Sequence, residues 1–255
     1  MSLFVRESGP TGAPAVVFLH GGELSGRSWQ PVVDRMPQYR CVVPDLPHHG
    51  QSPRSGRFEI AGAAAVVAEL IRSLGGPVHL VGYSLGAQVG VQLMATEPKL
   101  VDRAVLCSPI IDSLPYVRLT VPLLGVVARV YRFATIQRSG RQVKLSPADI
   151  DAGREQVRLM TGRQVAPVVE ASASFTLPEG LDESDSPALF LSGAEEPPLV
   201  HRSVTTLAQR MPNGVQGTAI GKGHDWPERY PDLLARTVGA WLSGTALPPA
   251  ITLPS

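Results

Sequence analysis

At 255 residues, with 25 glycines and 24 prolines, the chain suits one α/β domain carrying an insertion, or two small domains. A chain this long buries roughly three quarters of the surface its unfolded form exposes, so neither a metal nor a disulfide is required to hold it together. Its 23 basic and 22 acidic residues leave a net charge of +1, which offers no basic face to a nucleic acid.

The N-terminal MSLFVRESGP lacks a long apolar stretch and does not read as a signal peptide. Strand-length apolar runs then recur at Ala15 to Leu19, Cys41 to Val43, Val78 to Val81, Ala104 to Leu106 and Ala188 to Leu191. Each is apolar on both faces and bounded by Gly, Pro, Asp or Ser, the pattern of a buried parallel sheet. Helix-like stretches alternate with them. Ile60 to Leu74 is stopped by Gly75-Gly76-Pro77, Leu85 to Thr96 ends before Pro98, and Leu233 to Leu242 is closed by Gly244. Alternating strand and helix predicts a doubly wound, mostly parallel sheet with right-handed crossovers.

The interval from Pro109 to Pro187 shows no clear strand. Its apolar pieces, Tyr116 to Phe133 and Ile150 to Met160, predict a helical insertion. Arg118, Pro122, Arg129 and Arg132 break the first piece, so it is too short and too charged to span a bilayer. The expected division is a core of residues 1–110 and 187–246, an inserted cap of 111–186, and a Pro-rich tail of 247–255, extended or disordered. Cys41 and Cys107 lie in apolar runs without metal-ligand or CxxC spacing. They read as reduced core thiols, a disulfide being the alternative. The expected compartment is the cytoplasm. The Ala, Gly, Pro and Arg content is compatible with a GC-rich bacterial genome.

Gly82-Tyr83-Ser84-Leu85-Gly86 reads G-x-S-x-G. In a chain this rich in glycine the pentapeptide alone is a weak signal. Its setting, a strand before and a helix after, is the stronger one: a serine at such a turn is forced out at the sheet's carboxyl edge. The N–H that follows then points at a substrate oxygen. Serine needs a base, and the base needs orienting. His224 lies in Gly221-Lys222-Gly223-His224, just after the expected strand Val215 to Ile220. His20, His48, His49, His79 and His201 lack such a position.

With these residues in place, the chain resembles the α/β-hydrolase superfamily, specifically its capped, single-domain, esterase-like members, from about Ala15 to Leu242. Leu19-His20-Gly21-Gly22 followed by Trp29 resembles the His-Gly oxyanion loop. Pro44-Asp45-Leu46-Pro47-His48-His49-Gly50-Gln51-Ser52 resembles the Asp-Leu-Pro-Gly-His-Gly-x-Ser segment. Pro187 to Pro197 resembles the acid-bearing strand, and Gly223-His224 the base loop.

The resemblance implies an α/β-hydrolase fold, with the helical cap inserted before the acid-bearing strand. It also implies a cofactor-free Ser84-His224-acid triad, with the N–H groups of Gly22 and Leu85 as oxyanion hole. Glu196 stands in the family aspartate's place, with Glu195 and Asp112 as competitors; some relatives carry the acid after the preceding strand, where this chain has Ser108. Three further departures are His48 for a usual glycine, Ala87 for the second glycine of a common pair, and Glu23 directly after the oxyanion loop. A carboxylate there must point away, be protonated or contact substrate. Glu23, Tyr83, His48, Tyr116 and Tyr131 are the expected substrate contacts.

The implied reaction is hydrolysis of a carboxylic ester with a small to medium, largely apolar substrate. Cleavage of a C–C bond, thioester or lactone, or perhydrolysis, would use the same triad. A non-enzymatic ligand-binding protein on this fold is the third class. The expected partners are a small-molecule substrate and, at most, a second copy of the chain in a homodimer, with neither nucleic acid nor stable membrane insertion.

Overall fold

The computed structural model describes residues 2–113 and 162–254, with no side-chain description for 162–165. The expected strands are present: β2 (Ala15–Leu19) is unchanged, β3 (Arg40–Pro44), β4 (Val78–Tyr83), β5 (Val101–Cys107) and β6 (Ala188–Gly193) are longer by two to four residues, and β7 (Gly214–Ala219) begins one residue earlier than expected. Two edge strands were not read from the sequence, β1 (Val5–Ser8) and β8 (Ile251–Thr252). Together they form an eight-stranded sheet in the order β1-β3-β2-β4-β5-β6-β7-β8. The interior pairs are parallel, and β1 and β8 run antiparallel to their neighbours.

Seven helices belong to the described residues. They are α1 (Gln30–Val33), α2 (Ile60–Ser73), α3 (Leu85–Thr96), α4 (Gly162–Ala173), α5 (Pro198–Arg210), α6 (Trp226–Arg229) and α7 (Pro231–Ser243). The sheet is apolar on both faces because helices cover both. Val17, Leu80, Leu106 and Phe190 point to the side of α2, α3 and α5. Their strand neighbours Val16, Val81, Val105 and Leu189 point to the side of α1, α6 and α7. That alternation is the period-two geometry of a strand, and it explains runs that are close to uniformly apolar. Cys41 and Cys107 are free thiols buried in the second layer.

The chain passes from β2 outward to β3, then returns to β4 on the other side of β2. The order therefore reverses between β2 and β4, and the crevice at such a switch point is where open α/β sheets receive ligands. Gln88 of α3 ties in the chain on either side of residues 114–161. Its amide donates to the carbonyls of Ile110 and Ser172, and its Oε1 accepts from the Ser172 hydroxyl. Tyr116, Tyr131 and the expected helical pieces 116–133 and 150–160 lie outside the described residues. The Pro-rich tail ends in β8, which pairs with β7 and buries Ile251. Among the described residues no helix is long and apolar enough to cross a membrane.

Candidate active site

Register gathers the motifs into one row. Leu19 pairs with Gly82, Tyr83 with Cys107, Cys107 with Leu191, and Gly193 with Ala219. The loops leaving β2, β4, β5, β6 and β7 therefore emerge side by side at the carboxyl edge.

Ser84 is the turn between β4 and α3, with φ 51 and ψ −113. Non-glycine residues avoid this region at a cost of order 1–3 kcal/mol. Glycines make the turn feasible. A Cβ on Gly86 would collide with the Leu19 carbonyl oxygen, and one on Gly82 would lie 2.7 Å from the Gly86 carbonyl oxygen. The N–H of Ser84 is held by the Cys107 carbonyl at 2.8 Å. Leu85, the first residue of α3, has an N–H with no intrahelical carbonyl to meet. Gly22 packs against it: a Cβ there would rest 3.8 Å from the Leu85 Cβ.

The oxyanion-like loop is anchored by His20. Its Nε2 accepts from the Leu46 N–H at 3.0 Å, so the proton sits on Nδ1 and is donated to the Gly21 carbonyl at 2.8 Å. The Pro44–Ser52 segment proves to be structural support. The Asp45 carboxylate is fully buried, accepts from Arg6 at 2.8 Å, and receives the N–H groups of Gly26 and Gln51. Gly50, at φ 49, leaves room for it. His48 occupies φ 66, which accounts for the glycine usual at that position. Its ring is buried, donates to the Ser55 carbonyl at 3.2 Å and meets Phe58 edge-on. Its described contacts are thus with its own loop.

Glu196 and His224 come together although 28 residues separate them. His224 Nδ1 donates to Glu196 Oε1 at 2.5 Å. Glu196 Oε2 accepts from the Gly193 N–H at 2.6 Å and the Ser108 hydroxyl at 2.7 Å. Gly193 also lets the loop that carries His224 approach, since a Cβ there would collide with the Lys222 carbonyl oxygen. Burial of the carboxylate pushes its pKa up. The hydrogen bond and charge of His224, with the Gly193 and Ser108 donors, outweigh this and hold it below the ordinary glutamate value. The His224 side chain is 43% exposed and its ring centroid lies 5.3 Å from that of Tyr83, the residue before Ser84. Tyr83 is itself buried and closes over Gly21.

The competing carboxylates are elsewhere. Glu195 is exposed, with its backbone N–H on the Lys222 carbonyl, and Asp112 is exposed beyond β5. Glu23 is half-buried at φ 59, directly after Gly22. Sequence reasoning missed the donor role of Ser108. It also missed the brace formed by His201, whose Nε2 donates to the Glu196 carbonyl at 3.1 Å while Nδ1 meets the Ser192 hydroxyl at 2.9 Å. Ser108 carries no spacing signal because it acts from a neighbouring strand, and His201 carries none because its helix turns it back onto the loop just before it. Among the described residues, the non-glycine positions with positive φ are Glu23, His48, Ser84 and Ser108. All four follow the carboxyl ends of central strands.

A doubly wound sheet with a strained serine at its switch point, and a carboxylate-bound histidine one loop away, defines the α/β-hydrolase class. A profile of the Alpha/beta hydrolase family matches residues 16–237, and the chain belongs to that family. It is similar to the lipase LipV of Mycobacterium tuberculosis, 34% identical over 110 residues, which cover 43% of this chain. That match spans 42% of the lipase, less than half its length. It is also similar to the (E)-2-((N-methylformamido)methylene)succinate hydrolase of Acinetobacter baylyi, 24% identical over 90% of each chain. Among solved structures, a thermophilic esterase from Thermogutta terrifontis superposes with a TM-score of 0.78 at 20% identity, covering 95% of this chain and 93% of that one. An enol-lactonase from Burkholderia xenovorans gives 0.77 at 21% identity, covering 94% and 96%. These two likenesses are of fold.

Proposed function

We propose that the protein is a serine esterase in which Ser84 is the nucleophile, His224 the base and Glu196 the acid. The observation that carries this reading is the Glu196–His224 pair. The buried carboxylate accepts the Nδ1 proton, so Nε2 holds the lone pair needed to take a proton from a serine hydroxyl. Positioning beside Tyr83 supports Ser84 as that serine.

In the proposed cycle Ser84 Oγ attacks the ester carbonyl carbon and its proton passes to His224 Nε2. The tetrahedral oxyanion accepts from the N–H groups of Leu85 and Gly22. Glu196 stabilises the imidazolium, which gives its proton to the departing alkoxide. Water, deprotonated by the same histidine, then cleaves the acyl-enzyme, regenerating Ser84 and releasing the acid. Apolar residues of the 116–133 segment support a small to medium, largely apolar substrate. Glu23 at the loop's exit supports selection by the acyl group's polarity.

A fluorophosphonate probe, together with short p-nitrophenyl esters, tests the reading. Labelling at Ser84 and ester turnover are both expected, and both vanish in Ser84→Ala and His224→Ala. A wild-type protein that neither labels nor turns over ester would end the esterase reading.

A further inference from the structure

Two residues at the carboxyl end of β5 touch both sides of the site. The Cys107 carbonyl accepts the Ser84 N–H at 2.8 Å. The next residue, Ser108, donates its hydroxyl to Glu196 Oε2 at 2.7 Å, while its own N–H is fixed on the Leu191 carbonyl at 2.7 Å. Ser108 is 1% exposed and sits at φ 56. Glycine would take that backbone shape without strain. What serine adds is the hydroxyl, whose single proton is committed to the carboxylate.

We propose that Ser108 is a positioning residue for the triad acid: it holds Oε2 of Glu196 so that Oε1 meets the Nδ1 proton of His224. The proposal rests on the triad reading above. Glutamate has one more rotatable bond than aspartate, so its carboxylate needs an additional anchor to keep one orientation. The Gly193 N–H also reaches Oε2, but Gly193 is the last residue of β6, three positions before Glu196, so it ties the acid only to its own strand. Ser108 ties the acid to a different strand, the one that also holds the backbone of Ser84. The end of β5 thereby sets the acid and the nucleophile in a common frame.

The test is the rate at which a fluorophosphonate labels Ser84 in the wild type, Ser108→Gly, Glu196→Gln and the double variant, with the Tm of each. Ser108→Gly is expected to label about tenfold more slowly, the size of one hydrogen bond to a charged group. Its Tm should stay within a few degrees of wild type, because glycine suits the backbone. In the Glu196→Gln background the same substitution should leave the rate unchanged, since its route of action is already gone. Ser108→Gly labelling at the wild-type rate, or slowing labelling by the same factor in both backgrounds, overturns the proposal while leaving the triad standing. An unlabelled wild type removes the triad reading and this inference with it.

Discussion

At the scale of single residues, the buried Glu196 carboxylate has the most to lose. Three donors converge on it, from His224, Gly193 and Ser108. Glu196→Gln replaces an acceptor with a group that can favour the wrong tautomer of His224. Ester turnover is expected to fall by about 10³–10⁴-fold, the scale seen when a triad acid is made neutral. Glu195→Gln and Asp112→Asn should stay near wild type, since both side chains are exposed and it is Glu196 that bonds His224. If Asp112→Asn loses turnover and Glu196→Gln keeps it, the assignment of the acid is wrong. Stability should follow the same group. The folded pKa of Glu196 is lowered, so its stabilising contribution is complete above the ordinary glutamate value of about 4.3 and is lost as pH falls through the lower folded value. Tm measured from pH 7 to pH 3 should drop in acid more steeply for wild type than for Glu196→Gln. Parallel curves would show that the carboxylate contributes nothing to folding.

Among elements, the turns that close the site tolerate little change. Gly86→Ala drives a Cβ into the Leu19 carbonyl oxygen, so β2 and α3 must separate; a loss of at least about 3 kcal/mol in urea unfolding is expected. Trp226 opens α6, just past the base. It is fully buried, and its indole N–H has no partner among the described residues. Trp226→Ala should cost about 3–5 kcal/mol, whereas Trp226→Phe, which keeps a smaller aromatic ring and deletes the indole donor, should cost clearly less. Equal losses in the two variants would contradict this.

The same elements show how much was legible beforehand. Interior strands such as Ala15–Leu19 and Ala188–Gly193 announce themselves because burial on both faces demands uninterrupted apolar residues. Edge strands do not: β1 reads VRES and β8 only IT, and pairing, not composition, makes them strands. In the site, Ser84 and His224 stand in local motifs that sequence displays. Ser108 does not, because its partner lies 88 residues away on another strand; His201 does not, because its contact with Glu196, five residues away, depends on how the loop turns into the helix and not on a motif.

For the whole molecule, the edges matter most. β8 caps β7, Ile251 fills the layer beneath, and Leu253 packs over Gly217. Deleting residues 247–255 uncovers a row of β7 backbone groups, and exposed sheet edges pair with one another. The truncated protein should melt several degrees lower, in line with about 2–4 °C per kcal/mol for a chain of this size. It should also scatter light on standing at concentrations where the full chain stays clear. An unchanged Tm and a clear solution would mean that the tail is dispensable.

The left-handed backbone at Ser84 also bears on how this protein could be hardened against heat. Glycine relieves strain there worth of order 1 kcal/mol, so a screen that rewards survival at high temperature, and nothing else, will favour Ser84→Gly and discard the proposed nucleophile. Improvements that keep turnover must be sought at the opposite rim of the sheet, where the amino ends of β2 to β7 carry no such residue among those described. A library confined to that rim should yield hardened variants that keep the proposed esterase activity.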